Sequence, residues 1–353
     1  MINNMGLIKS VGAFFALDIG TNAVRVVQLS KAGPTAWNLD YYNYVPVDAK
    51  TVSSDSPEAR RRLGEVIMTA VGQSGIKTKD VAIGLPSQKT FTTVIDVPNM
   101  PLDELKNTIK YQTDQYIPMA VDEAKTDWCL LGQSLHDPKQ LEVLLTSTAI
   151  AYSEDRLEFI EGLGFNVIAA EPEPLAMIRS LLPVGANDAR LIVDMGEQST
   201  DIVMTYGDTP RLVRTIPLGL NSLVKAAVQN LNVKDDQARQ FILKFGLAPD
   251  RLEGQVLRAI ESTLGNFTSE LTKSIKFFQT RYPSIPVSGL LLAGFATTIP
   301  RLSEYVSAKT EIAATPANPW QKVRVSQNVQ QQLLPVANEF ATAVGLAQRS
   351  NER

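Results

Sequence analysis

The sequence predicts an α/β protein of two related domains, the second repeating the first, with a small α+β module inserted into the first. Three observations carry this. An apolar run, Phe14-Phe15-Ala16-Leu17, ends on Asp18, then Gly20, Thr21 and Asn22 make a tight turn and a second apolar run returns from Ala23 to Leu29. That is the pattern of a β-hairpin with a carboxylate at its mouth. A near copy stands in the second half, from Leu191 to Val203, with Asp194 and Gly196 in the equivalent places. Each hairpin leads into a third strand and then a helix, and between the two copies lies a block ordered strand, strand, helix, strand, strand, helix, strand.

The elements follow in order. Residues 35–47 mix Trp37, Tyr41, Tyr42 and Tyr44 with alternating apolar positions, which extends the first hairpin into a meander. Ser56 before Pro57 opens a helix over 58–74 with Leu63, Ile67 and Ala70 on one face, and Gly75 stops it. Residues 81–85 read as a buried strand, and 91–97 as another, closed by Pro98 and Pro101. A helix over 102–116 ends before Pro118, because the residue preceding a proline is pushed out of the helical region. Residues 126–131 and 141–149 form an antiparallel pair, 153–162 a helix and 166–170 a strand, and a further helix runs through Ser180. The polar break at 182–187 sets the main boundary. In the second half, 211–217 is the third strand, followed by helices over 221–231 and 234–245, the latter capped by Gly246. A long helix over 251–282 carries Leu252, Val256, Ile260, Leu264, Leu271, Ile275 and Phe278 at steps of four and three. A strand over 289–293 breaks at Gly294, a helix starts in 300–307, and 338–349 is a terminal helix of small residues. The domain plan is a leader over 1–12, a first domain over 13–80 and 166–185, an insertion over 81–165, and a second domain over 186–353.

Composition narrows the function. The 353 residues can hold two or three cores of ordinary size. A net charge of -3 argues against nucleic acid, which needs a strongly basic surface. Cys129, the single cysteine, excludes an internal disulfide and a cysteine-built metal site, and few cysteines fit a reducing cytoplasm. The single histidine, His136, sits beside Asp137-Pro138, which argues against serine–histidine catalysis and histidine zinc sites. No segment is long and apolar enough to span a membrane, and 1–12 lacks the core of a signal peptide. Gly6-Leu7-Ile8-Lys9 could touch a membrane weakly, a packed or disordered leader being the favoured reading.

The chemistry gathers at the turns. A turn rich in Gly, Ser and Thr leaves backbone N–H groups pointing outward, a concavity that takes phosphate oxygens. Gly20, Thr21 and Asn22 then hold one side of a triphosphate, and Gly196, Ser199 and Thr200 the other. Asp18 and Asp194 face Mg²⁺, which is commonly held through its waters by one or two carboxylates together with phosphates. The strand ending at Gly294, with Thr297 to Leu302 entering a helix, completes a nucleotide site by letting a base lie against backbone. Each feature alone also fits an ordinary core hairpin or strand–helix junction. Their combination points to a phosphate clamp.

Four stretches in this order, Asp-Ile-Gly-Thr from Asp18, Glu-Pro-Leu-Ala from Glu173, Asp-Met-Gly-x-x-Ser-Thr from Asp194 and Ala-Gly-(x)₅-Pro-x-Leu from Ala293, resemble the phosphate, connecting and adenosine motifs of the actin-like ATPases. More narrowly, the chain resembles the PilM family of type IV pilus assembly proteins over nearly its whole length. The closest stretches are Asp103 to Pro118, Glu142 to Leu145, Glu171 to Leu175, Ile216 to Gly219 and Ser274 to Phe278. The resemblance implies an actin-like ATPase fold of two duplicated ribonuclease-H-like domains, whose insertion is similar to the small subdomain that PilM shares in position with FtsA. It implies ATP and Mg²⁺ as ligands. Glu173 matches the glutamate that orients attacking water in several actin-like ATPases, a helix-start glutamate favoured by the macrodipole being the other reading. Glu270 and Lys273 match positions that touch ribose or adenine, a solvated surface pair being the alternative. Gly219, Gly294 and Phe295 fall at the second-domain and adenosine contacts.

Departures from the family pattern are local. Arg25 stands where lysine is common, and its planar guanidinium reaches phosphate only in a different pose. Ala293 and Leu220 each replace a glycine. Hydrolysis needs positioned water as well as bound nucleotide, so the expected activity is slow ATP turnover at most. The implied partner is the short cytoplasmic tail of the membrane protein PilN, received as an extended peptide in a groove between the first domain and residues 80–165, which places the chain in the cytoplasm at the inner face of the membrane. The alternatives are a filament-forming protein like FtsA or MreB, against which the polar end after Ala347 counts, and a sugar or acetate kinase, for which no separate base is found.

Overall fold

The computed structural model describes residues 13–349, so the leader expected over 1–12, with the weak membrane contact weighed for residues 6–9, lies outside the described residues. The chain divides into two compact units, one of Met1–Met177, Thr209–Arg211 and Thr342–Arg353, the other of Ile178–Asp208 and Leu212–Ala341.

In the first unit, β1 (Phe15–Ile19), β2 (Ala23–Lys31) and β3 (Trp37–Pro46) form an antiparallel meander. After the short α1 (Ala49–Ser53) comes α2 (Pro57–Ser74), which forms where the sequence marks it. The Ser56 side chain accepts the Ala59 N–H at 3.2 Å, Pro57 takes the first position, and Gly75 at φ 89° supplies the left-handed cap. β4 (Asp80–Leu85) then returns parallel to β1, with Phe15 opposite Val81.

β5 (Thr90–Pro98), α3 (Leu102–Tyr116), β6 (Ala124–Gln133) and β7 (Gln140–Ala149) follow, and their strands make a separate antiparallel sheet ordered β5-β7-β6. α4 (Ile150–Gly162) and β8 (Asn166–Pro172) bring the chain back, β8 pairing parallel with β4. Within the first unit the strands of this sheet therefore run β3-β2-β1-β4-β8. Its core holds Phe15, Leu17, Val26, Ile67 and Ile83, with Ile160 of α4 packed among them. The inserted sheet has a core of its own, built on Ile95, Val97, Leu105, Ile109, Val143 and Leu145. Within the block 81–165, β4 and Ile160 serve the first sheet, and β5 to β7 carry the independent layer.

The division between the units falls within α5 (Glu173–Leu181). β9 (Ala189–Met195) and β10 (Thr200–Tyr206) form the second hairpin, followed by β11 (Thr209–Ile216). Helices α6 (Leu220–Leu231), α7 (Asp235–Phe245) and α8 (Gln255–Arg281) lead to β12 (Val287–Gly294), which lies parallel to β9. α9 (Leu302–Thr310) and β13 (Ala314–Pro316) complete the sheet in the order β11-β10-β9-β12-β13, before α10 (Gln327–Leu333) and α11 (Ala341–Ala347). This is the order of the five strands of the first unit. The duplication read from two hairpins extends to whole sheets.

Two helices differ from expectation, each for a local reason. The helix expected over 251–282 starts only at Gln255, because Leu252, Glu253 and Gly254 sit at φ 46°, 51° and 69°, a left-handed run that cannot propagate a right-handed helix. The terminal helix expected over 338–349 is a 3₁₀ turn at Ala337–Phe340 followed by α11. Side chains take over there: Asn338 donates to the Gly294 carbonyl at 2.7 Å and the Trp320 indole N–H to the Ala337 carbonyl at 2.9 Å.

Because the inserted sheet has its own core, damage to it should stay local. Leu145→Ala is expected to lower the opening free energy of the β5–β7 amides by about 2–5 kcal/mol, read by native-state hydrogen exchange. The β9–β10 amides should keep their protection.

Candidate functional site

The first turn is a closed backbone device. The Gly20 N–H donates to the Ala23 carbonyl at 3.0 Å, and the Val47 N–H to the Asn22 carbonyl at 3.0 Å, which ties the end of the meander to the turn. Antiparallel register sets Asp18 directly opposite Arg25. Both are buried, Asp18 at 4% and Arg25 at 5% exposure. Arg25 Nη1 lies 3.3 Å from Asp18 Oδ2 and 3.4 Å from the Ala23 carbonyl, Nη2 donates to Asn22 Oδ1 at 2.9 Å, and the guanidinium lies over the Tyr44 ring at 5.4 Å. A Cβ added to Gly20 would sit 2.5 Å from Nη1. The guanidinium thus fills the space that the glycine leaves.

The second turn repeats the backbone with different side chains. The Gly196 N–H closes on the Ser199 carbonyl at 2.8 Å, and the start of α6 is stitched to the turn by Leu220 N–H to the Gly196 carbonyl and Asn221 N–H to the Glu197 carbonyl, at 3.0 and 2.9 Å. Gly219 makes that approach possible, since a Cβ there would lie 2.6 Å from both carbonyl oxygens. Thr200 is fully buried, and its hydroxyl donates to the Leu218 carbonyl at 2.6 Å, locking the third strand to the hairpin. Gly294, at φ 59°, stands at the end of β12 where a Cβ would be 2.4 Å from Asp194 Oδ1. Opposite Asp194, in the position that Arg25 holds in the first hairpin, is Asp201, which accepts the Thr215 hydroxyl at 2.6 Å. One turn carries a carboxylate and a cation, the other two carboxylates.

Other predicted residues have clear settings. Glu270 is bonded by Lys273 one turn along α8 and by Arg214 of β11 at 2.9 Å, and these two cations, Lys273 foremost, hold its carboxyl below the ordinary range against the opposing effect of burial. Phe295 opens the 3₁₀ turn after Gly294, where its carbonyl accepts the Thr298 hydroxyl at 2.9 Å. Glu173 is the first residue of α5 and stands beside Gly84, whose added Cβ would lie 3.1 Å from Glu173 Cγ.

Long-range partners escaped the sequence reading: the Glu197–Arg239 ion pair, the Tyr44 ring over Arg25 and the Asn338 bond to Gly294. Among the described residues, Asp96, His136 and Glu142 have metal-ligand chemistry. The fully buried Glu142 already has the Arg211 guanidinium on Oε2, with Ser134 Oγ at 3.5 Å and His136 Nδ1 at 3.6 Å from Oε1, so its charge is balanced within the cluster.

The family model described as type IV pilus assembly protein PilM matches residues 16–351. The chain belongs to the PilM family. This PilM-family chain is similar to the protein of a solved PilM-PilN type IV pilus biogenesis complex, at 24% identity over 98% of this chain and 100% of that one, with a TM-score of 0.81. It is also similar to MamK, both as a non-polymerising mutant bound to AMPPNP (14% identity, 98% and 100% coverage, TM-score 0.51) and as a double helical filament (14% identity, 96% and 99% coverage, TM-score 0.55). These likenesses establish the actin-like ATPase fold, of which the two matching sheets are the duplicated halves. Among the described residues no helix is long and apolar enough to cross a membrane.

The glycines of the second turn give the sharpest check on this geometry. Gly294→Ala and Gly219→Ala should each destabilise by about 1–3 kcal/mol through forced backbone strain and overlap. Gly265→Ala, where an added Cβ on α8 meets nothing within 4 Å, should instead stabilise by about 0.5–1 kcal/mol. Urea unfolding followed by circular dichroism reads both signs.

Proposed function

We propose that this chain is a nucleotide-holding adaptor of a type IV pilus assembly platform, working at the cytoplasmic face of the inner membrane and receiving the cytoplasmic tail of a PilN-like membrane protein. The observation that carries this reading is the family match across residues 16–351. The solved PilM-PilN complex supports the partner, and the MamK relative bound to AMPPNP supports the ligand.

Each turn by itself has the makeup of a phosphate-binding loop. Gly20, Thr21 and Asn22 on one hairpin and Gly196, Ser199 and Thr200 on the other offer backbone and small side chains, and Gly294 with Phe295 offers a surface for a base. Glu270 and Lys273 are the candidates for ribose contact. Bound ATP would supply a polyanion for the turn amides to hold, while the Arg25 guanidinium is engaged within the first turn. Mg²⁺ would suit the chemistry of Asp194, a half-buried carboxylate at the end of β9. It does not fit Asp18, whose carboxylate is already engaged by Arg25. Glu173 at the head of α5 remains the candidate for orienting water, and an adaptor needs no turnover from it.

A groove of about 520 Å³ supports peptide capture. It lies between α2 and α4, lined by Pro57, Gly64, Met68, Phe159 and Leu163 with the stems of Arg60 and Arg61, on the face between the first domain and residues 80–165. Gly64 brings the two helices close, since a Cβ there would lie 3.1 Å from Leu163 Cδ2. Arg60 lies over the Phe159 ring at 5.0 Å and pairs with Asp155. An extended tail would set apolar side chains into this floor.

Met68 is 47% exposed, so Met68→Glu changes the groove without opening the core. It should weaken binding of a synthetic PilN-like tail about tenfold or more by calorimetry. Unchanged affinity would move the partner site elsewhere, and ATP-dependent pelleting of the protein on sedimentation would favour a filament.

A further inference from the structure

We propose that Arg239 on α7 is a positioning residue of the second turn: it cancels the Glu197 carboxylate and so lets that turn take a polyanion such as a triphosphate. This rests on the nucleotide reading of the turn and goes beyond it by naming a charge outside the hairpin on which the turn depends. Every group involved lies within the second unit.

The turn carries its own obstacle. Between Gly196 and Ser199, where outward N–H groups suit phosphate oxygens, stands an acidic residue, Glu197. A carboxylate there opposes an anionic ligand over a screening length of about 8 Å. The backbone around it is fixed. The Glu197 carbonyl accepts the Asn221 N–H at 2.9 Å, the Gly196 carbonyl accepts the Leu220 N–H at 3.0 Å, and Gln198 Oε1 accepts the Asn221 side-chain amide at 3.2 Å. The Glu197 side chain is 11% exposed, too little for water alone to carry its charge.

The cation comes from α7. Ala238 and Ile242 bury one face of that helix, and its end is docked, since Gly246 caps it at φ 50° with no room for a Cβ against the Pro300 carbonyl. The Leu247 N–H donates to the same carbonyl at 3.0 Å. From this fixed helix Arg239 engages both carboxylate oxygens, Nη1 donating to Oε2 at 3.2 Å and Nη2 to Oε1. A two-point pair of this kind neutralises a carboxylate and also fixes its direction. The bond to Glu197 foremost raises the guanidinium pKa against the opposing effect of burial, and Asp235 and Asp236 of α7 add to the pull.

ATP affinities measured by calorimetry at low salt and in about 0.5 M NaCl test this role. Arg239→Gln should weaken ATP about tenfold at low salt, while Glu197→Gln should bind it as well as the wild type or better. Combining the two substitutions should return affinity to within about threefold of the wild type, and Arg239→Lys, which keeps the charge without the fork, should stay in that range. In the higher salt the Arg239→Gln loss should shrink to about threefold or less, as a screened charge requires and a packing defect does not. If the double variant stays as weak as Arg239→Gln, the guanidinium acts by packing or by touching the ligand itself, and the proposal is overturned. A loss that salt does not diminish overturns it equally. Should Arg239→Gln fail to fold, Arg239→Lys and Glu197→Gln decide the matter, a loss of about tenfold in either being the overturning result. A wild-type protein that binds no ATP overturns the nucleotide reading of the turn, and the role of Arg239 with it.

Discussion

At the mouth of the second hairpin, three backbone segments converge without room for one methyl group between them. The turn after β9, the end of β11 and the end of β12 approach so closely that a Cβ at residue 219 would meet the carbonyls of Gly196 and Glu197, and one at 294 would meet Asp194. This close approach constrains much else. The register of β12 on β9, with Ala293 opposite Asp194, holds Gly294 at the contact; a slip of one residue would drive Ala293 or Phe295 into it. The side chain of Thr200 and the amides opening α6 can then reach carbonyls of neighbouring segments, so the orphan groups of a helix start and a strand end satisfy one another.

The first hairpin solves the same problem by a different electrostatic route. The five strands of its unit are ordered as those of the second sheet, but its carboxylate sits in the interior with a guanidinium against it. Arginine fills the position in a way that lysine would not. One planar group answers the Asp18 carboxylate, the Ala23 carbonyl and the Asn22 amide oxygen while its face rests on Tyr44, and a lysine ammonium has neither the fork nor the face. Duplication has kept the backbone and let the charges diverge: Arg25 and Asp201 are register equivalents of opposite sign.

Much of the fold was legible because it is written in local patterns. The paired hairpins, the capping residues of α2 and the glycine stops each act within a few residues, so the two sheets, α2, α3 and the inserted antiparallel pair fall close to their expected places. The misses share a cause. Left-handed conformations at Leu252 and Glu253 carry no residue signature, and the terminal helix yields to an Asn338 bond made 44 residues away. The candidate site divides along the same line. Asp18, Gly20, Asn22 and Arg25 lie within one hairpin and their proximity follows from strand register, whereas the Glu197–Arg239 pair spans 42 residues and depends on where α7 docks. The Glu270–Lys273 pair was visible from helical spacing alone; the third member, Arg214, was not.

The groove between α2 and α4 shows how a chain of net charge -3 can offer arginines to a partner without becoming a general anion binder. Arg60 is paired with Asp155 and Arg61 with Glu65, so the heads that ring the groove are already balanced and, being largely exposed, add little stability of their own. What they contribute is their apolar stems, laid beside Phe159 and Met68 as walls of the slot. Recognition built this way depends on the shape and apolar spacing of an incoming segment more than on its charge. Both helices that form it pack on the sheet that carries Asp18 and Arg25, with Leu63 and Ile67 of α2 and Ile160 of α4 in the same core as Leu17 and Val26.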